Sequence, residues 1–175
     1  MKRGVYPGSF NPPTVGHVAI VEAAIRLHEL DCIDLVISEV ALAKPLIEKP
    51  SLEERLQVIT ASFTDVPEVN VLLTSSQLIA DIARGYDVVV MGADKWGQIN
   101  DVKFYDSEAH MHESLASLPT LAVAPRSGEK LNERIRLDVP ETIAEVSSSS
   151  ARRTNFEWMT KAAQDFSGES GVWQD

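Results

Sequence analysis

Gly8-Ser9-Phe10-Asn11-Pro12-Pro13-Thr14-Val15-Gly16-His17 joins an apolar run (Val5, Tyr6) to a stretch in which Val18, Ile20, Val21, Ala24, Ile25 and Leu27 recur at helical spacing. The run reads as a short strand and the periodic stretch as a helix, so the decapeptide is the turn between them. A helix N-terminus presents unpaired N–H groups and a partial positive charge, which suits a phosphate. Gly8 lets the backbone approach a ligand, and Gly16 removes a side chain where the helix packs near the turn. Pro12 and Pro13 stiffen the turn. Thr14 offers a hydroxyl at the helix start, and His17 falls in the first helical turn.

Working outward, apolar β-rich runs recur at 33–38, 69–74, 87–92 and 120–125, each separated from the next by helical or mixed sequence. The run at 87–92 is apolar on both faces, as a strand covered on two sides must be. Alternating strands and helices predict a parallel sheet with right-handed crossovers and ligands beyond the carboxyl ends of its strands. Ser51 with Glu54 forms a capping box that opens a helix through Leu56, Ile59 and Phe63. Before it lies an irregular segment with Lys44, Pro45, Lys49 and Pro50. Ser75 or Ser76 is expected to cap a short helix ended by Gly85, and 131–139 is expected to hold a further edge strand. The serine run at 147–150 precedes Arg152 and a helix expected to continue through Phe156, Met159 and Ala163.

The chain has 175 residues, 44% of them hydrophobic, enough for one domain with its own core. The domain is expected over 1–166, with a loose tail at 167–175. No apolar run approaches the ~20 residues of a membrane span, and no signal-type block follows Lys2 and Arg3. A single cysteine, Cys32, makes no internal disulfide and points to a reducing, cytoplasmic setting. A net charge of −10 argues against a broad nucleic-acid surface and leaves room for a nucleotide cleft only if the few cations converge.

GSFNPPTVGH resembles the T/HxGH signature of the nucleotidylyltransferase superfamily, and Val146-Ser147-Ser148-Ser149-Ser150-Ala151-Arg152 resembles its ISSTxxR motif. The resemblance implies an α/β, Rossmann-like doubly wound parallel five-stranded sheet of the HUP type. GSFNPPT is most similar to nicotinamide/nicotinate mononucleotide adenylyltransferases. The TxGH ending is equally like phosphopantetheine adenylyltransferase, and the lysine segment with SLEER resembles the adenylyltransferases, above all that one. Gly92-Ala93-Asp94 resembles the GxD turn of the former and departs from the RGxR of the latter.

The activity implied is transfer of AMP from ATP to a small phosphorylated acceptor, a pyridine mononucleotide in the leading reading, with pyrophosphate leaving. Phosphopantetheine adenylyltransfer, cytidylyltransfer and a non-catalytic nucleotide-binding regulator are the alternatives. By the same resemblance His17, Thr14, Lys44 and Arg152 are catalytic. Gly8, Ser9, Phe10, Gly16, His17, Gly92, Asp94, Ser148, Ser149 and Arg152 bind ATP, and Ser9, Lys44 and Trp96 face the acceptor. Spacing does not decide between Lys44 and Lys49 as the phosphate lysine; Lys44 is preferred. Mg²⁺ is expected through the ATP phosphates, with no protein-held metal, no nucleic-acid or membrane partner, and multimers as in many relatives. Arg55 reads as a helix-surface or substrate-side residue.

Overall fold

A computed structural model describes residues 1–39, 49–128 and 130–174. Lys44 lies outside the described residues. Five strands form one parallel sheet: β1 (Arg3–Pro7), β2 (Cys32–Ser38), β3 (Val69–Thr74), β4 (Val88–Gly92) and β5 (Thr120–Ala124), in the order β3-β2-β1-β4-β5. The chain therefore runs outward from β1 to β3, returns to β4 beside β1, and proceeds to β5. The order reverses between β1 and β4, the topological switch point where doubly wound sheets bind ligands.

Strand alternation explains the layers. Tyr6, Leu35, Ile37, Val88 and Val90 face a cluster formed with α1 (Val15–His28) and α2 (Leu52–Ser62). Val5, Val36, Val89, Met91 and Val123 face a second cluster with α3 (Ile79–Ile82) and α4 (Ala93–Ile99), against which Leu115 of α5 (Glu108–Ala116) also packs. A third cluster joins Val58 of α2 to Ala151 of α6 (Ser148–Arg153), Met159, Ala163 of α7 (Lys161–Ser170) and Trp173.

Four local expectations differ from the fold. Ser75 and Ser76 do not cap α3; its N-cap is Leu78, without a side-chain bond. No strand forms over 131–139, only a single parallel bridge of Arg136 to Val123, fixed by two backbone bonds of 2.7 and 2.8 Å. The helix after the serine run stops at Arg153, because residue 159 is needed elsewhere: Met159 bridges to Thr14, and Thr160 N–H donates to Pro13 O at 3.1 Å. Thr160 then caps α7, accepting from Ala163 N–H at 3.3 Å. The described residues of the expected tail, 167–174, are not loose. They include the end of α7, a left-handed Gly171 (φ 72°) that terminates it, and Trp173, only 4% exposed.

Candidate active site

The cleft lies over the carboxyl ends of β1, β2, β4 and β5 and encloses about 870 Å³. Its centre is the decapeptide turn. Thr14 caps α1 with a reciprocal pair of bonds: His17 N–H donates to Thr14 Oγ1 at 3.4 Å, and Thr14 N–H donates to His17 Nδ1 at 3.0 Å. Histidine here takes the place that Glu or Gln holds in an ordinary capping box. Because Nδ1 accepts a backbone N–H, the neutral ring carries its proton on Nε2. His17 lines the cleft, and its ring meets Phe10 edge-on at 5.0 Å.

The two glycines have separate reasons. A Cβ on Gly8 would stand 2.9 Å from the Phe10 ring, so Gly8 makes room for a side chain that is only 1% exposed. Phe10 itself holds φ 43°, a left-handed conformation uncommon outside glycine. A Cβ on Gly16 would stand 3.0 Å from Val146, the residue just before the serine run.

That contact is one of several that bring the two ends of the chain together. Ser148 Oγ donates to Pro12 O at 2.7 Å, Arg152 donates to Asn11 O, and Trp173 Nε1–H donates to Asn11 Oδ1 at 2.6 Å. Ser147 caps α6, accepting from Ser150 N–H at 3.1 Å. Gly8, Ser9, Phe10, Thr14, Gly16, His17, Gly92, Asp94, Ser148, Ser149 and Arg152 all line the cleft. A Cβ on Gly92 would meet nothing within 4 Å, so the space above this turn is open to a ligand.

Trp96 is placed differently. On α4, Trp96 packs toward the second cluster with Ile99, three residues on, while Lys95 and Gln98 share the face that lines the cleft. Lys95 Nζ donates to Gln98 Oε1 at 2.5 Å.

Two arginines carry more than their sequence context suggested. Arg126, just past β5, pairs through Nε with Asp94 at 3.1 Å and donates from Nη1 to the carbonyls of Ala144 and Val146. It thereby ties the Gly92-Ala93-Asp94 turn to the segment that delivers Ser147. Its position at a strand's carboxyl end was the available signal. Of the two placements expected for Arg55, the helix surface is excluded and the cleft side agrees: it lines the cleft and is 6% exposed.

Residues 5–154 match the model of the cytidylyltransferase-like family. The chain belongs to that family. The fold and both motifs agree with that membership. Among its relatives, a phosphopantetheine adenylyltransferase of Dictyoglomus thermophilum is 36% identical over 91 residues, 52% of each chain. Another from Frankia casuarinae is 33% identical over 126 residues, 69% of this chain and 73% of that one. The match thus spans about half of the first relative's length. A solved structure, Plasmodium falciparum nicotinic acid mononucleotide adenylyltransferase complexed with NaAD, superposes with a TM-score of 0.69 over 99% of this chain and 98% of that one, at 17% identity. Among the described residues no helix is long and apolar enough to cross a membrane.

Proposed function

We propose that this family member transfers AMP from Mg·ATP to a phosphomonoester, with a nicotinate or nicotinamide mononucleotide as the acceptor. The observation that carries the reading is the meeting of the two motifs: Ser148 and Arg152 bond to the same Asn11-Pro12 turn that positions Thr14 and His17. An acceptor phosphate oxygen attacks the α-phosphorus. The bond from that phosphorus to the α,β-bridging oxygen breaks, and pyrophosphate leaves with the electron pair. The nucleophile is already charged, so the protein needs no strong base; placement and charge stabilisation remain.

His17 donates Nε2–H to the α-phosphate as charge builds, steadied by the Thr14 bond to Nδ1. Ser149, the α6 backbone and Arg152 hold the leaving pyrophosphate. Ser148 serves mainly by fixing the turn, since its hydroxyl donates to Pro12 O. Lys44 is assigned to the phosphates by resemblance alone. Among the described residues no three His, Cys, Asp or Glu side chains gather as a metal site. Mg²⁺ would enter with the nucleotide and would neutralise phosphate charge there.

Two acceptors are in contention. Gly92-Ala93-Asp94, with Asp94 already paired to Arg126, favours a pyridine mononucleotide. The phosphopantetheine adenylyltransferases at 31–36% identity favour phosphopantetheine. Pyrophosphate release from Mg·ATP or Mg·CTP is to be measured against nicotinate mononucleotide, NMN, phosphopantetheine and glycerol 3-phosphate. Release with ATP and a pyridine mononucleotide is expected. Release with phosphopantetheine alone transfers the assignment to that acceptor, and release only with CTP refutes adenylyl transfer.

A further inference from the structure

Arg55 is a charged residue of the cleft that the chemistry above leaves unused. It sits in the first turns of α2, oriented by the Ser51–Glu54 capping box, in which Ser51 N–H donates to Glu54 at 2.7 Å and Glu54 N–H to Ser51 Oγ at 3.2 Å. Its side chain is 94% removed from water by the exposure given above. Its Nε is fully buried and makes no hydrogen bond, and among the described residues no carboxylate pairs with it. The nearest acid in sequence, Glu54, is committed to the cap. Arginine keeps its proton, although burial pulls this guanidinium below its ordinary range. A buried charge without a partner is unfavourable, so a site that retains one is set to receive an anion.

The surroundings say which anion. The wall built by α4, the loop after β5 and α6 carries Lys95, Arg126 and Arg152. The opposite part of the lining, from β2, the residues just after it, α2 and the start of α3, combines Val36, Leu52, Ile79 and Ile82 with Ser38, Glu39 and Gln77, and its cation is Arg55. A triphosphate fits the cationic wall; a molecule with one anionic group fits the other. The acceptors in contention differ in every part except their phosphomonoester, and a guanidinium fork matches phosphate oxygens in pairs.

We propose that Arg55 is the binding residue for the acceptor's phosphate, and that it makes the enzyme select phosphorylated acceptors over their dephosphorylated counterparts. This rests on the functional reading above, because it assumes that the wall with Arg55 is the acceptor side.

Calorimetric titration tests it without turnover. Intact wild-type protein, Arg55→Met and Arg55→Lys are each titrated with nicotinate mononucleotide, nicotinate riboside, phosphopantetheine, pantetheine and ATP. Wild type binds one phosphorylated acceptor in preference to its dephosphorylated form. Arg55→Met loses roughly tenfold or more of that preference, the scale of a lost charged hydrogen bond, while ATP affinity is unchanged. Arg55→Lys keeps part of it. Because a buried unpaired charge is removed, Arg55→Met melts no lower than wild type, which a merely structural arginine would not allow. An unchanged phosphate preference in Arg55→Met overturns the assignment, as does an equal loss of ATP affinity. Wild-type protein that binds none of the four acceptor-type ligands overturns the functional reading itself, and the role of Arg55 with it.

Discussion

The proposed mechanism gives His17 a second task beside its observed capping role, on a different ring atom. Its Nδ1 closes the α1 cap, and that mechanism gives its Nε2–H to the α-phosphate. His17→Ala therefore loses both: kcat falls roughly 10²-fold or more, by analogy with an oxyanion donor, while stability falls by only about 1 kcal/mol, the worth of a cap. Single-turnover kinetics with a melting curve separates the two, and near-normal turnover would refute the assignment. Gly16→Ala tests the contact between the motifs. Its Cβ would press on Val146 at 3.0 and 3.2 Å and push the serine run out of place. The expected result is a loss of about 1–3 kcal/mol of stability, typical of overpacking, with a raised KM for ATP. Most residues of the cleft were legible in the sequence because motif spacing identifies them. Trp96 was not, because an aromatic ring suits a stacking role or a core equally well. Only the three-residue register of α4 decides, placing it with Ile99 and away from Lys95 and Gln98.

Elements tell a similar story. The strands and the α2 cap could be read directly, since a buried parallel strand is a continuous apolar run and a capping box is local chemistry. The break between α6 and α7 could not, because its cause is tertiary: residues 159 and 160 leave the helix to bond with Thr14 and Pro13. The C-terminal segment hides its packing for the same reason, as nothing local reveals that Trp173 reaches Asn11. Trp173→Phe keeps most of the buried ring but removes its bond to Asn11. It is expected to lower stability by about 1 kcal/mol and to reduce kcat, since Asn11 also carries Arg152 on its carbonyl. Unchanged kcat would show that the tail supports the fold without supporting the turn.

A second network joins β1, β2 and β3. Asp34, 2% exposed, accepts from Tyr86 at 2.6 Å, Asn70 at 2.9 Å and Arg3 at 3.0 Å. Burial alone would raise its carboxyl, but these three bonds outweigh it and hold the pKa below the ordinary value. Tyr86 is correspondingly pushed up to about 12, first by burial and then by this carboxylate. A carboxyl whose folded pKa is depressed contributes stability that is present above its unfolded pKa of about 4 and lost as pH falls through the folded value. Denaturant titrations should therefore find Asp34→Asn less stable than wild type by about 1–3 kcal/mol near neutrality, with the gap closing on acidification below about pH 4. A gap independent of pH would contradict the network.

At the scale of the whole molecule, a protein of net charge −10 gathers Arg55, Lys95, Arg126 and Arg152 around one cleft whose acids among the described residues are Glu39 and Asp94. Composition alone said only that such convergence was required. The sheet order accomplishes it, since reversal between β1 and β4 sets two walls over one switch point. The central claim is that this cleft moves AMP onto a phosphomonoester. The direct measurement follows label in a reaction of Mg·ATP with nicotinate mononucleotide, using ATP labelled at the α-phosphate or at the γ-phosphate. The account predicts α-label in a dinucleotide product and γ-label in pyrophosphate, in equal amounts. Label from the γ-phosphate in inorganic phosphate, with no α-label transferred to nicotinate mononucleotide, would contradict it.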